Sequence, residues 1–306
     1  MLGMDIAGVL VIVIIAGLFY GLYKVIQGFT SKNDVFDYER DYKRAITKTT
    51  YRSGKEEEGV YIGTSTNKKC VCIPSNAKHV FICGTTGSGK TVAISNFIKA
   101  GVQYDYPMLI VDGKGDTGVG SLLDIVEKIC PERKTYVINF NEPDASDRYN
   151  PFKNTSTDVI KDMLINMTNW SEEHYKYNTE RYIQRLLKLL AMEGVELSLE
   201  SLTRYLPVDN FNKLSKDLSV KELITKVERI EDSELAKISG KIAEAAAARF
   251  ATIKESSLGQ VFEASGIDIY TALEENAVIL FILNPLLYPE MSPLIGNLIV
   301  IHKKRQ

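Results

Sequence analysis

Cysteine, histidine and tryptophan are scarce in this chain, whose 306 residues include four cysteines, three histidines and one tryptophan. The cysteines, at positions 70, 72, 83 and 130, are too few and too scattered for a disulfide framework. The three histidines supply too few partners for a Cys/His metal site around Cys70 and Cys72. The sequence therefore predicts reduced cysteines in a cytosolic core.

The chain also lacks an excess of positive charge. Its 37 basic and 39 acidic residues give a formal net charge of −2. Proteins that coat nucleic acid through bulk charge are usually basic overall, so any contact with DNA must be local. The length suits about two domains, and the composition is that of an ordinary folded protein.

One segment lacks charge altogether. Residues 6–23 are uncharged and dominated by Val, Ile, Leu and Gly, which is just enough to cross a bilayer core of about 30 Å as a helix. Basic residues follow it, and the positive-inside rule then places the rest of the chain in the cytoplasm. We predict a single-pass anchor (1–29) in the inner, cytoplasmic membrane of the cell and a polar juxtamembrane linker (30–58).

Apolar runs beyond the linker predict strands at 60–62, 70–73, 79–83, 108–111, 135–140 and 277–283, with a turn at 65–67. Near-continuous apolar strands that alternate with helices are typical of a parallel sheet covered on both faces. Between residues 155 and 249 the pattern is helical only, with helices expected at about 156–167, 171–194, 198–206, 209–217, 219–229 and 233–254.

These patterns predict an α/β fold with a mostly parallel sheet and an inserted all-α domain. The expected divisions are a first part of a nucleotide-binding domain (59–154), the all-α insertion (155–249) and an incomplete return segment (250–306).

A complete phosphate-binding motif lies at 84–91, where the sequence reads Gly84-Thr85-Thr86-Gly87-Ser88-Gly89-Lys90-Thr91. The glycines let successive backbone N–H groups point at phosphate oxygens. Lys90 is expected to reach the β- and γ-phosphates and the Thr91 hydroxyl to bind Mg²⁺. The predicted strand 79–83 before the motif and a helix from Val92 to Ala100 after it complete the setting of a P-loop for ATP and Mg²⁺.

A carboxylate ends the next apolar run, at Asp112. It has the shape of a Walker B strand and is a candidate Mg²⁺ ligand and catalytic helper, with Lys114 nearby. A local structural role at the end of the strand is the alternative.

Four segments follow one another in order: Gly59-Val60-Tyr61-Ile62-Gly63, the P-loop, Val111-Asp112-Gly113-Lys114-Gly115-Asp116 and Arg148-Tyr149-Asn150-Pro151-Phe152. Together they resemble the coupling ATPases of conjugation and type IV secretion (TraD/TraG-like), within the FtsK–HerA superfamily of P-loop DNA translocases. The resemblance covers nearly the whole chain. It implies a membrane-anchored RecA-like motor that uses ATP and Mg²⁺.

The same resemblance implies the partners: DNA, single-stranded and held by local contacts, relaxosome or secretion-channel proteins, the membrane, and five further copies in a hexamer. Members of the family continue to a strand that ends in Asp-Glu, and no such strand precedes Gln306. We therefore expect a C-terminally truncated chain whose full-length form couples ATP hydrolysis to DNA translocation. An ATP-binding membrane adaptor that recruits a substrate protein without translocating it is the alternative.

Overall fold

The computed structural model describes residue 20 and residues 59–64, 70–74, 77–166 and 173–304. It contains two compact units, Met1–Ala100 and Gly101–Gln306. The predicted anchor (apart from Tyr20), the linker and the turn at 65–67 lie outside the described residues. Among the helices that the structure does describe, none combines the length and the apolar character that a membrane crossing requires.

The first unit contains a β-hairpin and the start of a helix. Strands β1 (Gly59–Thr64) and β2 (Cys70–Pro74) pair antiparallel, with a bulge between Tyr61 and Gly63. The predicted strands at 60–62 and 70–73 are thereby confirmed. Helix α1 (Lys90–Gln103) begins at the lysine of the glycine-rich motif and confirms the helix predicted at 92–100.

The predicted strand at 79–83 is wrong. Residues 77–85 have no regular secondary structure, and the backbone of 79–83 forms no hydrogen bond with the described residues. Phe81 is 90% exposed and Val80 43%. An apolar run becomes a strand only where another strand accepts its ladder of hydrogen bonds, and the sequence pattern does not reveal whether that partner exists.

The second unit is built on a parallel sheet in the order β3–β5–β4, formed by β3 (Met108–Asp112), β4 (Thr135–Asn139) and β5 (Val278–Ile282). Val278 pairs with both Met108 and Thr135, so the three strands start in register. Every residue of β5 is buried, as expected of a central strand. The strands predicted at 108–111, 135–140 and 277–283 are confirmed.

One arginine holds together the loops that lead into these strands. The Arg133 guanidinium donates to the carbonyl of Tyr106 (3.1 Å), which precedes β3, and to that of Asn276 (2.5 Å), which precedes β5. It also pairs with Asp105 at 3.0 Å. Because Arg133 itself precedes β4, its side chain fixes the amino ends of all three strands relative to one another.

The remaining helices follow the expected order. Helix α2 (Leu122–Ile129) joins β3 to β4 and buries Ile125 and Val126. Between the sheet strands β4 and β5 lie the helices α3 (Thr157–Asn166), α4 (Glu173–Glu193), α5 (Leu199–Tyr205), α6 (Val208–Val220), α7 (Lys226–Glu255) and α8 (Ile269–Glu274); α9 (Met291–Lys304) follows β5. No strand occurs among the described residues from 155 to 255, as predicted.

The predicted helices at 219–229 and 233–254 are wrong in their boundaries. Helix α6 continues to Val220, the chain reverses at Glu222 (φ +59°), and α7 runs unbroken from Lys226. Thr225 and Glu228 form a capping box: Thr225 Oγ1 accepts from the Glu228 N–H (3.1 Å), and Glu228 Oε2 accepts from the Thr225 N–H (2.9 Å). This Thr-x-x-Glu signal marks the true helix start in the sequence.

The segment Arg148–Phe152 joins the sheet to the helical region. Asn150 is buried and its Nδ2 donates to the carbonyls of Leu197 (3.0 Å) and Ala264 (3.1 Å), while its Oδ1 accepts from the Phe152 N–H (3.0 Å). The Tyr149 ring meets the Phe281 ring edge-on at 5.0 Å. The Asn-Pro-Phe element is therefore a packing junction in this structure.

A buried ion pair organises the helical region. Asp232 of α7 receives Arg185 of α4 in a bidentate contact (2.5 and 3.0 Å), and Ser215 of α6 donates to the same carboxylate at 2.7 Å. The Asp232 side chain is only 3% exposed. The hydrogen bond that Arg185 donates to Asp232 also raises the pKa of Arg185. Three helices thus meet at one carboxylate.

We predict that Gly266→Ala destabilises the fold by about 2 kcal/mol. A Cβ at this position would lie 2.6 Å from the Tyr149 carbonyl carbon and 2.8 Å from the Asn150 nitrogen, and both are backbone atoms of the packed junction. Urea denaturation of the full chain measures the effect. Gly118→Ala, where the nearest atom is 3.4 Å away, is the control and should stay within about 0.5 kcal/mol. If both variants unfold at the same urea concentration, close packing at this junction does not contribute to stability.

We also predict that Asp232→Asn lowers the free energy of unfolding by about 3 kcal/mol, because it leaves the Arg185 guanidinium without its buried counter-ion. The matched control is Glu200→Gln, which breaks the exposed Arg204–Glu200 pair on α5. Exposed pairs of this kind contribute under about 1 kcal/mol. Similar losses in both variants, in the same denaturation assay, would show that the Arg185–Asp232 pair does not stabilise the helical region.

Candidate phosphate-binding site

The glycine-rich segment 84–91 closes on itself through its lysine. Lys90 Nζ donates to the carbonyls of Gly84 (2.9 Å) and Thr85 (2.6 Å), and the Ser88 N–H donates to the Thr85 carbonyl (3.2 Å). The ammonium group therefore joins the end of the loop to its start, where it neutralises the carbonyl dipoles of Gly84 and Thr85.

Three positions in this loop require glycine, two because of their backbone conformation and one because there is no room for a side chain. Gly87 and Gly89 have φ of +80° and +86°, a conformation that side chains other than glycine rarely adopt. At Gly84 a Cβ would lie 2.3 Å from Ser88 Oγ. Residues 83–89 are all exposed, so the loop is open to a ligand from solvent.

The loop leads directly into a helix N-terminus. The first bond of the helical ladder runs from the Ala93 N–H to the Gly89 carbonyl (2.9 Å). The N–H groups of the first turn consequently have no partner within the helix, and the helix dipole adds partial positive charge at the same place. Thr91, half-buried in this turn, is the predicted Mg²⁺ ligand.

This donor set fits a polyphosphate. It consists of backbone N–H groups, one ammonium group and two hydroxyl-bearing residue types, with no carboxylate between residues 84 and 91. Such a set attracts an anion and offers a hard oxygen ligand to a magnesium ion carried by that anion. ATP with Mg²⁺ is thus compatible with the residues present.

Asp112 lies in the second unit, at the carboxyl end of β3. Its side chain is buried, and Oδ1 accepts a hydrogen bond from the Lys114 N–H at 2.8 Å. The carboxylate therefore shapes the turn that follows the strand. Its role as a magnesium ligand stays a prediction. No group of three or more His, Cys, Asp or Glu side chains suited to a metal ion occurs in the described part of the chain.

The other two strands end in the same way as β3. Asn139 Oδ1 accepts from the Asn141 N–H (2.9 Å) after β4, and Asn284 Oδ1 accepts from the Leu286 N–H (3.1 Å) after β5. Sequence reasoning missed these two turns. A short polar side chain at the end of a buried strand, or within two residues of it, is the signal that could have found them.

The loop after β3 packs over the ends of its neighbours. Gly115, at φ +70°, leaves no room for a side chain, because a Cβ there would lie 2.6 Å from the Leu283 carbonyl oxygen. Its own carbonyl accepts from Asn141 Nδ2 at 2.7 Å. The Gly113-Lys114-Gly115-Asp116 segment is thereby fixed at the carboxyl edge of the sheet.

Lys114 and Asp116 form an exposed ion pair on this loop, at 2.7 Å. The hydrogen bond from Lys114, followed by one from the Gly118 N–H, lowers the pKa of Asp116, and the pKa of Lys114 is raised by the same partner. Both groups are charged at neutral pH. They orient each other above the sheet edge.

A glycine-rich loop closed by its lysine and a helix N-terminus directly after it are the local features of a P-loop. Residues 60–283 match the model of the family described as "Helicase HerA, central domain". Since this match spans more than two thirds of the chain, the chain belongs to that family, which is part of the FtsK–HerA superfamily of P-loop ATPases. A search of curated proteins finds no match.

Membership of this family confirms two predictions made from the sequence motifs. The chain belongs to the expected superfamily, and it is of the nucleotide-binding P-loop class. The narrower resemblance to conjugation coupling ATPases goes beyond what this match establishes.

We predict that Asp112→Asn raises the Mg²⁺ concentration needed for half-maximal ATP hydrolysis by about tenfold or more. Asparagine keeps the acceptor for the Lys114 N–H, so the turn and the thermal stability should persist while the negative charge is lost. A Mg²⁺ titration of the hydrolysis rate makes the measurement, with Asp147→Asn as the control carboxylate. If variant and wild type need the same Mg²⁺ concentration, Asp112 serves the turn alone.

Proposed function

We propose that this protein is a membrane-anchored coupling ATPase that moves DNA or nucleoprotein during conjugation or type IV secretion, with ATP bound at residues 84–91. The observation that carries the proposal is the geometry of the loop: Lys90 Nζ on the Gly84 and Thr85 carbonyls, beside two glycines with positive φ. Membership of the HerA central-domain family supports the ATPase class.

In this proposal, different residues of the loop have different roles in binding and hydrolysing ATP. Backbone N–H groups of the loop other than that of Ser88 would bind phosphate oxygens, and Lys90 would stabilise the negative charge that grows on them. Thr91, at the first turn of α1, would hold the magnesium ion through its hydroxyl. Bound ATP supplies the phosphoanhydride bond whose hydrolysis releases the free energy for movement. Phosphoryl transfer needs positioning and charge neutralisation more than covalent help from the protein.

The partners belong to the same proposal. A net charge of −2 limits DNA to local contacts, which suits single-stranded DNA held in the channel of a ring better than DNA coating the surface. The uncharged run 6–23 followed by basic residues supports a single-pass anchor in the inner membrane, with the body in the cytoplasm. Relaxosome or secretion-channel proteins and further copies of the chain complete the assembly that we propose.

Lys90→Ala tests the site. We expect ATP affinity to fall about tenfold or more and any DNA-stimulated phosphate release to disappear, because the loop loses its one ammonium group. Binding is measured with a fluorescent ATP analogue and turnover as phosphate release, with and without single-stranded DNA. The control is Lys213→Ala on the exposed face of α6.

Two outcomes count against the proposal. Unchanged ATP binding in the Lys90 variant would remove the site. Firm ATP binding by the wild-type chain without any DNA-stimulated phosphate release, even in the anchored full-length protein, would remove the motor function and leave a nucleotide-binding protein.

A further inference from the structure

A groove of 680 Å³ runs between α4 and α7 in the helical region. One wall is formed by α4, with Arg181, Gln184 and Lys188 at spacings of three and four residues, which place them on one helix face. The other wall is formed by α7, with Glu231 and Glu234 on the corresponding face. One wall is thus cationic and the other anionic.

The outer charges of the two walls have no direct hydrogen-bond or ion-pair partner within the described part of the fold. Arg181, Lys188, Glu231 and Glu234 make no hydrogen bond and no ion pair with any residue that the structure describes. The floor between them is closed by the Arg185–Asp232 pair, which is satisfied by its own bidentate contact and by Ser215. Arg185 also pairs with Glu228 of α7 at 3.7 Å, so only the four outer charges face the groove without a direct partner among the described residues.

The groove also offers apolar surface. Leu235 is half-buried in its lining, and Ile238, also in the lining, is 67% exposed. Val227, one turn before Glu231 on the same helix face, is 63% exposed. Leu235 and Ile238 thus give the groove an apolar strip beside its charged walls, and Val227 extends exposed apolar surface along the same helix.

We propose that this groove binds an amphipathic helix of a partner protein. The apolar stripe of that helix would rest on Leu235 and Ile238, with carboxylates on one flank facing Arg181 and Lys188 and cations on the other flank facing Glu231 and Glu234. The partner's carboxylates should be about seven residues apart and its cations three or four apart, to match the two walls.

Charge complementarity selects this occupant over nucleic acid. A phosphate backbone that approached Arg181 and Lys188 would also meet Glu231 and Glu234, and the repulsion would cancel the attraction. A helix with one acidic and one basic flank satisfies both walls at once. This inference does not depend on the nucleotide site or on the proposed motor function.

The experiment uses three synthetic helical peptides of about 20 residues with the same leucine stripe. The first carries glutamates on one flank and lysines on the other, the second lysines on both flanks, and the third glutamates on both. Fluorescence anisotropy at low salt against the full chain should show the mixed peptide binding about tenfold tighter than either of the others.

Two double variants should then change the preference. Arg181→Glu with Lys188→Glu makes both walls acidic and should favour the all-lysine peptide. Glu231→Lys with Glu234→Lys makes both walls basic and should favour the all-glutamate peptide. The matched control, Lys213→Glu with Lys216→Glu, lies on exposed positions of α6 outside the groove and should keep the wild-type preference. Circular dichroism of each variant verifies that the helices are intact.

Three results would each overturn the inference. The first is no binding of the mixed peptide, or the same peptide preference in all variants. The second is a labelled single-stranded oligonucleotide that binds wild type and is lost in the Arg181/Lys188 variant, which assigns the groove to nucleic acid. The third is self-association of the chain in sedimentation that both groove variants abolish, which assigns it to a second copy.

Discussion

The sheet of the second unit depends on β5, the strand that is last in the sequence and central in space. Each of its residues pairs on one side with β3 and on the other with β4, far earlier in the chain. The sheet cannot be complete until the chain has passed through the helical region and returned. Long-range pairing of this kind carries a large loop-closure cost, which the fully buried apolar side chains of β5 offset.

The carboxyl edge of the sheet also depends on these long-range strand pairings. The loop after β3 is fixed by a contact of Gly115 with Leu283 and by a hydrogen bond from Asn141, so its conformation requires both neighbouring strands. The phosphate loop has the opposite character. Its closing contacts, from Lys90 to Gly84 and Thr85, span only a few residues. A local segment can thus hold its binding geometry while the carboxyl edge around Asp112 must be assembled by the whole unit.

This difference explains what the sequence could predict. The phosphate loop, the strands β1 to β5 and the helical character of 155–166 and 173–249 follow from local residue types and periodicity, and the structure has them where the patterns place them. The strand predicted at 79–83 was wrong, because an apolar run does not reveal whether a neighbouring strand exists. The roles of Arg133, Asn150 and Asp232 were missed for the same reason, since their partners lie far away in the sequence. The start of α7 was missed although its capping box is local.

The Arg185–Asp232 pair links stability to recognition in the helical region. A bidentate pair supported by Ser215, with a buried carboxylate, holds α4 and α7 at a fixed separation, since any shift of one helix would break charge-assisted hydrogen bonds. At that separation Arg181 and Lys188 of α4 form no ion pair with Glu231 and Glu234 of α7. If the helices could close on each other, Arg181 and Lys188 would pair with Glu231 and Glu234 and the groove would lose both its volume and its charge. The internal ion pair is therefore what leaves the outer charges free for a partner.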